Sequence, residues 1–267
     1  MRRSLAFLMA GIAVVGLGCA PRASEEVSTA TIGELKRSVV PVLCMNTALR
    51  PIVGFGTAFF VNQSGDFVTA AHVVVEGRRF IAEHGNCVLT IYLPVGGWHQ
   101  SQGFTVREYT FTNCDMDEVV DVALCRATPN PFYDHSVSAA IAPVSFDVAP
   151  QVDGTAVAFT GFPLSNAQPI TAKGFVAALE FHGTVPHRVV VDRGAWPGAS
   201  GSPLYRDDGR VVGIVTETGT GFANGLSYAR SSAEIVTFLR DHGELRGASF
   251  TDPTDGSMLA SSRLLGY

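Results

Sequence analysis

The sequence predicts an all-β protein whose strands fall into two groups of about six, followed by a single C-terminal helix. Three observations predict it. Short apolar runs rich in Val, Phe, Thr and Ala recur along the chain: SVVPVLCM, GFGTAFFV, DFVTAAHVVV, VVDVALCRA, GTAVAFTGF, GFVAALEF, HRVVVD, RVVGIVTET and LSYAR. Between them stands turn chemistry such as QSGD (63–66) and RDDGR (206–210), within a chain of 28 glycines and only 16% charged residues. No alternation of strands with long helices is visible, which argues against a parallel α/β fold.

The first segment lies outside this fold. Met1-Arg2-Arg3 precedes the apolar run LAFLMAGIAVVGLG (5–18), which is short of the roughly 20 residues a spanning helix needs and has the order of an export signal. Its end, VGLGCA, resembles a bacterial lipoprotein signal. That resemblance makes Cys19 the lipidated residue that anchors the chain to the cell envelope, with plain secretion as the alternative. Residues 20–31 are small and polar and read as a tether. A first strand group then spans about 38–127. A proline-bearing linker, TPNPFYDHSVSAAIAP, covers 128–143, and a second group covers about 144–230. SSAEIVTFLRDH (231–242) is the one clear helix: Ser231 or Ser232 caps it, and Ile235, Val236, Phe238 and Leu239 form its apolar stripe. The tail, 243–267, reads as loosely ordered.

With Cys19 assigned to a lipid, Cys44, Cys87, Cys114 and Cys125 remain, enough for two disulfides in an exported chain. CVLTIYLP (87–94) and FTVREYTFTNC (104–114) read as one hairpin. A turn centred between Gln100 and Ser101 sets Cys87 opposite Cys114, leaving Cys44 and Cys125 either paired or as buried thiols.

Three short stretches carry the chemistry. GDFVTAAHVVV (65–75) places His72 at the end of an apolar run. DEVVDVALCRA (117–127) places Asp121 ahead of a buried strand, where a carboxylate is costly unless something donates to it. PGASGSPL (197–204) flanks Ser200 with Gly198 and Gly201. Each alone is an ordinary core or turn residue. In the order His72, Asp121, Ser200, with TAAH, D-V-A-L, G-x-S-G and VGIVT (212–216), they resemble the trypsin-like serine peptidases over most of 38–242. The resemblance is strongest to the bacterial HtrA-like branch, through Asp192, Pro197-Gly198 and NGLSYAR (224–230), although no peptide-binding domain follows the helix. It departs at Ala199, where Asn or Asp is usual, and at Ser202, where Gly is usual.

The resemblance implies a chymotrypsin-like fold of two six-stranded antiparallel barrels with the cleft between them. It also implies a serine endopeptidase with a Ser200–His72–Asp121 triad and an oxyanion hole made by the amides of Gly198 and Ser200. Asp115, Asp117 and Glu118 are rival acids for His72. By the same resemblance Gly194 floors the primary specificity pocket, Leu226 lines it, and Thr216, Glu217 and Thr218 form its edge. Without a carboxylate at Gly194, a small or medium apolar residue is expected before the scissile bond, rather than Lys or Arg. Arg193 and Glu217 read as solvated charges. The expected partners are a protein or peptide substrate and, through the lipid, a membrane. A net charge of −5 without a basic run argues against nucleic acid. No metal-ligand spacing, phosphate loop or cofactor signature is seen, and His182 and His187 read as two residues of a turn between strands. Two rival readings share the fold: a degenerate peptidase used for binding or sensing, and a chaperone-like scaffold.

Overall fold

The computed structural model describes residues 26–46, 53–85, 87–98, 105–220, 223–242 and 249–251. The export signal and Cys19 lie outside the described residues. The strands are β1 (Val39–Asn46), β2 (Val53–Phe60), β3 (Asp66–Thr69), β4 (Cys87–Pro94), β5 (Val106–Thr110), β6 (Cys114–Asp117) and β7 (Val122–Arg126), then β8 (Ser145–Asp147), β9 (Ala156–Gly161), β10 (Ile170–His182), β11 (Val185–Val191), β12 (Pro203–Tyr205), β13 (Arg210–Thr218), β14 (Ser227–Ser231) and β15 (Ser249–Thr251). The α-helices are α1 (Thr29–Lys36), α2 (Ala71–His84) and α3 (Ser232–Asp241).

The second group contains the closed barrel. Strands β9, β10, β11, β14, β13 and β12 pair in turn, and β12 returns to β9, so six antiparallel strands leave no edge between them. The first group is a seven-stranded antiparallel sheet in the order β5-β4-β1-β2-β3-β7-β6. Its edge strand β5 meets the chain just after β7, where Thr110 and Thr128 exchange two backbone hydrogen bonds of 3.0 and 2.8 Å. The fold is therefore chymotrypsin-like, with closure complete in the second unit and made by one bridge in the first. Strands β8 and β15 extend the second sheet in parallel pairings; of the 243–267 tail only 249–251 are described, and they form β15 rather than loose chain.

Three apolar clusters explain why the strands read as unbroken apolar runs. Ala58 and Phe60 of β2 point into the first sheet, among Phe67, Ile91 and Tyr109. Phe59, between them, points the other way and packs on Phe146 of β8, with ring centroids 6.2 Å apart. Successive side chains of one strand thus enter two different cores, so hydrophobicity never drops at every second position. A third cluster, with Val157, Phe159, Leu204 and Val212, fills the closed barrel. Helix α3 is capped by Ser231, whose hydroxyl accepts the Glu234 amide, and it lays Ile235, Val236, Phe238 and Leu239 on the central cluster.

Three expectations are corrected. The run after TAAH is not strand: β3 ends at Thr69, and α2 starts at Ala71, burying Ala71, Val73, Val74 and Gly77. That spacing is helical, and a preceding strand of Val and Thr disguised it. The tether is shorter than 20–31, because α1 starts at Thr29 with Ser28 as its cap. The disulfides are Cys44–Cys87 and Cys114–Cys125, with Cα atoms 5.6 and 4.3 Å apart. The β4–β5 hairpin exists, pairing Thr90 with Thr110, but β5 stops there. The Phe111 amide still donates to Leu89 O at 3.2 Å; the chain then leaves β4, and Cys114 opens β6 opposite Cys125 of β7. Cys87 is left facing β1, on the other side of β4, one diagonal step from Cys44.

Peptide mapping without reduction is expected to recover Cys44 linked to Cys87 and Cys114 linked to Cys125, and no Cys87–Cys114 peptide. Replacing both Cys114 and Cys125 with Ser is expected to cost about 2–4 kcal/mol in denaturant unfolding, the range for a short closed loop.

Candidate active site

His72 is the second residue of α2, where the first-turn amides have no partner within the helix. Ala70, at the cap position, has no side chain to offer them. Asp121 fills that role from another element. Its Oδ1 accepts the His72 backbone amide at 2.9 Å, and its Oδ2 lies 2.8 Å from His72 Nδ1. One carboxylate thus caps the helix and fixes the imidazole, and the helix N-terminus favours its negative charge. Asp121 can do both because it sits at φ 58°, in the left-handed region that Asp tolerates better than most residues, immediately before β7. The rival Asp117 is engaged elsewhere: its Oδ1 accepts the amides of Val119 and Val120 and shapes the turn leading to Asp121.

Burial lowers the pKa of His72, but the Asp121 hydrogen bond and the charges of Asp121, Glu76 and Glu217 outweigh it, so the net shift is upward from 6.5. A raised folded value means that the imidazolium form is stabilised. That contribution is complete below the unfolded pKa and is lost as pH rises through the folded one.

Ser200 comes from the second barrel. Its loop is held by Thr57 of β2, which is fully buried. The Thr57 amide donates to Ser200 O at 2.8 Å, and Thr57 Oγ1 donates to Gly198 O at 2.8 Å while accepting the Phe162 amide at 2.9 Å. Gly198 and Gly201 have φ of 92° and 86°. A Cβ on Gly201 would stand 1.9 Å from Thr57 O, and one on Gly198 would stand 2.6 Å from Phe162 O. Within the loop, Ala199 N–H donates to Trp196 O and Ser202 N–H to Ala199 O. Among the described residues no acceptor meets the amides of Gly198 or Ser200. His72, Gly198 and Ser200 line one cleft of about 340 Å³ together with Glu76 and Leu164. No hydrogen bond joins His72 to Ser200 Oγ; such contacts commonly tighten only with substrate bound.

Both departures from the resemblance have a physical setting. Ala199 is buried in the core of the second barrel, where a polar side chain would need a partner. Ser202 is fully buried, and its Oγ has no hydrogen bond. Room for it exists because residue 161 is glycine: a Cβ there would meet Ser202 Oγ at 2.0 Å.

The residues expected at the pocket have the following surroundings. Thr218 Oγ1 donates to Ala195 O at 2.9 Å, Gly219 N–H donates to Leu226 O at 2.9 Å, and a Cβ on Gly194 would sit 3.3 Å from Gly225 Cα. Thr216 is buried, whereas Glu217 is exposed and lies 3.7 Å from Arg188. Arg193 turns outward and donates to Lys173 O.

Two features escaped the sequence reading. Thr57 was hidden inside the apolar run GFGTAFFV; a lone hydroxyl between glycine and phenylalanines was its signal. His182 and His187 meet Glu234 of α3, their ligand atoms lying within 4.8 Å of one another. Arg230 Nη1 stands 2.9 and 2.8 Å from the two ring nitrogens of His187, and that fixed positive charge works against a second cation.

A closed six-stranded barrel packed on a second antiparallel sheet, with His72, held by Asp121, from one and Ser200 from the other lining a shared cleft, defines the chymotrypsin-like class. The chain belongs to the trypsin-like peptidase domain family, whose profile matches residues 56–214, and it is a serine peptidase by that membership. Similar folds include the Rv3671c protease of M. tuberculosis in its active form, at 17% identity and TM-score 0.58, covering 93% of this chain and 97% of that one. Deg5 is similar at 17% identity and TM-score 0.59, with 80% of this chain and 94% of that one covered. The inactive form of Rv3671c is similar at 18% identity and TM-score 0.57, over 83% and 94%. At these identities the likeness is one of fold. A comparison with curated proteins found no match.

By NMR, the His72 imidazole is expected to titrate above 6.5, and Asp121→Asn is expected to lower that value. Thr57→Val leaves the Phe162 amide and the Gly198 carbonyl without their hydroxyl partner, at a cost of about 1–3 kcal/mol in unfolding free energy.

Proposed function

We propose that this chain is an exported, lipid-anchored serine endopeptidase that works through an acyl-enzyme on Ser200. The observation that carries it is the imidazole held by Asp121 on its Nδ1 side, in the same cleft as a serine hydroxyl that has no hydrogen bond among the described residues. Ser200 Oγ attacks the scissile carbonyl carbon while His72 Nε2 takes its proton. The tetrahedral oxyanion is met by the amides of Gly198 and Ser200, whose neighbouring carbonyls are tied back by Thr57 and Leu164. His72 returns the proton to the departing amine, and the ester is then hydrolysed by a water that His72 deprotonates. Asp121 stays ionised throughout and stabilises the imidazolium.

In the unprimed direction, the close approach of Gly194 to Gly225 and the absence of a carboxylate at Gly194 favour a small or medium apolar residue before the scissile bond. Leu226 and Thr216 supply the walls, and Glu217 and Thr218 the edge that pairs with substrate backbone. Export is supported by the N-terminal sequence and by two disulfides in one sheet, and Cys19 is the residue assigned to the lipid.

A fluorophosphonate probe is expected to label the mature protein, and Ser200→Ala is expected to abolish both labelling and peptide cleavage. Absence of Ser200-dependent labelling would favour a degenerate binding module. The acid limb of kcat/KM should have its midpoint above pH 6.5, because only the neutral imidazole accepts the Ser200 proton and the folded value is raised. Peptide-library profiling should show little cleavage after Lys or Arg. Cys19→Ser should release the protein from membranes, and unchanged membrane association would refute the anchor.

A further inference from the structure

The cleft at Ser200 extends away from the pocket side. None of Gly194, Thr216, Glu217, Thr218 or Leu226 lines the 340 Å³ cavity that His72 and Ser200 share; β2, α2 and the turn at 162–165 bound it instead, so it is a space separate from the one those residues would form. Past Gly54, Phe162 and Ser165, which border both spaces, it continues into a second cavity of about 280 Å³. Leu43, Met45, Tyr92, Val106 and Phe162 make that second space apolar. Its inner wall is firm, since Phe162 packs on Trp98 with centroids 5.0 Å apart and Trp98 packs on Tyr92 at 5.8 Å. The neck stays open because residue 54 has no side chain: a Cβ there would approach Ser165 Oγ to 3.1 Å.

The charges in this groove have one sign. Glu76, one helical turn after His72 on α2, borders the first cavity, and Glu108 of β5 borders the second. Both are exposed, and neither has an ion pair among the described residues. No Lys or Arg among the described residues lines either space. A peptide whose carbonyl is attacked by Ser200 has its acyl half on the Gly194 side, so its departing amine half must run the other way. That half meets a carboxylate first and an apolar trough next.

We propose that this groove binds the leaving-group half of the substrate and selects polypeptides with a cationic residue in the first two positions after the scissile bond, followed by an apolar residue. The inference rests on the reading of Ser200 as nucleophile and adds a preference on the side where that reading makes no claim. Glu76 attracts the cation and repels an acidic residue at the same place, so discrimination comes from both signs. The site is open to solvent, so the effect is modest and weakens with salt.

The test uses internally quenched peptides with one fixed sequence before the scissile bond and Arg, Gln or Glu at each of the two positions after it. Rates are taken at low ionic strength on the alkaline plateau of the pH profile. Wild-type enzyme is expected to cleave the Arg peptides about tenfold faster, in kcat/KM, than the Glu peptides. Glu76→Gln should flatten that ratio and Glu76→Lys should invert it, and 0.5 M salt, to take roughly a 4 Å Debye length, should compress it. In a second series, exchanging Leu for Ser at the third position should lower kcat/KM about fivefold or more. A wild-type enzyme that is labelled by the fluorophosphonate and cleaves all these peptides alike would overturn the groove proposal and leave Ser200 as nucleophile. A preference that survives Glu76→Lys would equally overturn the role given to Glu76. The fluorophosphonate carries no leaving-group peptide, so failure of wild-type labelling would instead overturn the reading of Ser200, and the groove proposal with it.

Discussion

Thr57 is the point at which two sheets become one site. It belongs to the first sheet, yet its amide and hydroxyl hold Ser200 O and Gly198 O of the second, and its hydroxyl also satisfies the Phe162 amide. Its own carbonyl accepts Thr69 Oγ1 at 2.6 Å. Buried polar groups at such a junction are costly when unpaired, so the seam is stable only in the register that satisfies all of them. The glycines around it follow from the same constraint. Gly56 has Ser200 O where its Cβ would be, Gly201 has Thr57 O, and Gly161 has both Ser202 Oγ and Thr57 Oγ1. Carbonyls, buried hydroxyls and the Val73 side chain fill these places, so a Cβ has no volume at any of the three glycines.

Asp121 is the corresponding junction within the first sheet. A carboxylate at a strand entry would ordinarily stay in solvent, but here it is only 20% exposed because α2 presents it with an amide and an imidazole. The β6–β7 turn that carries it is fixed from several sides. Asp117 caps its amides, Cys114–Cys125 closes its base, and Arg230 of the second barrel donates to Val119 O at 3.2 Å. The position of the imidazole is therefore set by the packing of three separate elements, as an oriented base requires.

Much of this was legible in the chain. The all-β class and the terminal helix with its apolar stripe stood out through local patterns, whereas His72, Asp121 and Ser200, each ordinary alone, stood out through their order and combined motifs. The errors share a cause. DFVTAAHVVV was read as one apolar strand run because Val and Thr dominate it, whereas only the burial of Val73, Val74 and Gly77 on one face reveals the helix. The cysteine pairing failed because the hairpin register, with Thr90 opposite Thr110, is one residue off the expected one, and because the chain then leaves β4 and enters β6 at Cys114. Thr57, and the meeting of His187 with Glu234, involve partners tens to more than a hundred residues away in sequence, a distance at which local patterns carry no information.

The sequence by itself determined which residue types stand at the ends of strands and in the PGASGSPL turn. It did so because glycine, aspartate and serine at such positions answer to backbone geometry and desolvation, which are local. Tertiary structure alone decided that Asp121 also caps the helix carrying His72, that Ser202 fits because residue 161 is glycine, and that Glu76 borders the cleft with no ion pair among the described residues. Each of these depends on which segments share a small volume, and close packing of two sheets settles that through contacts no single segment encodes.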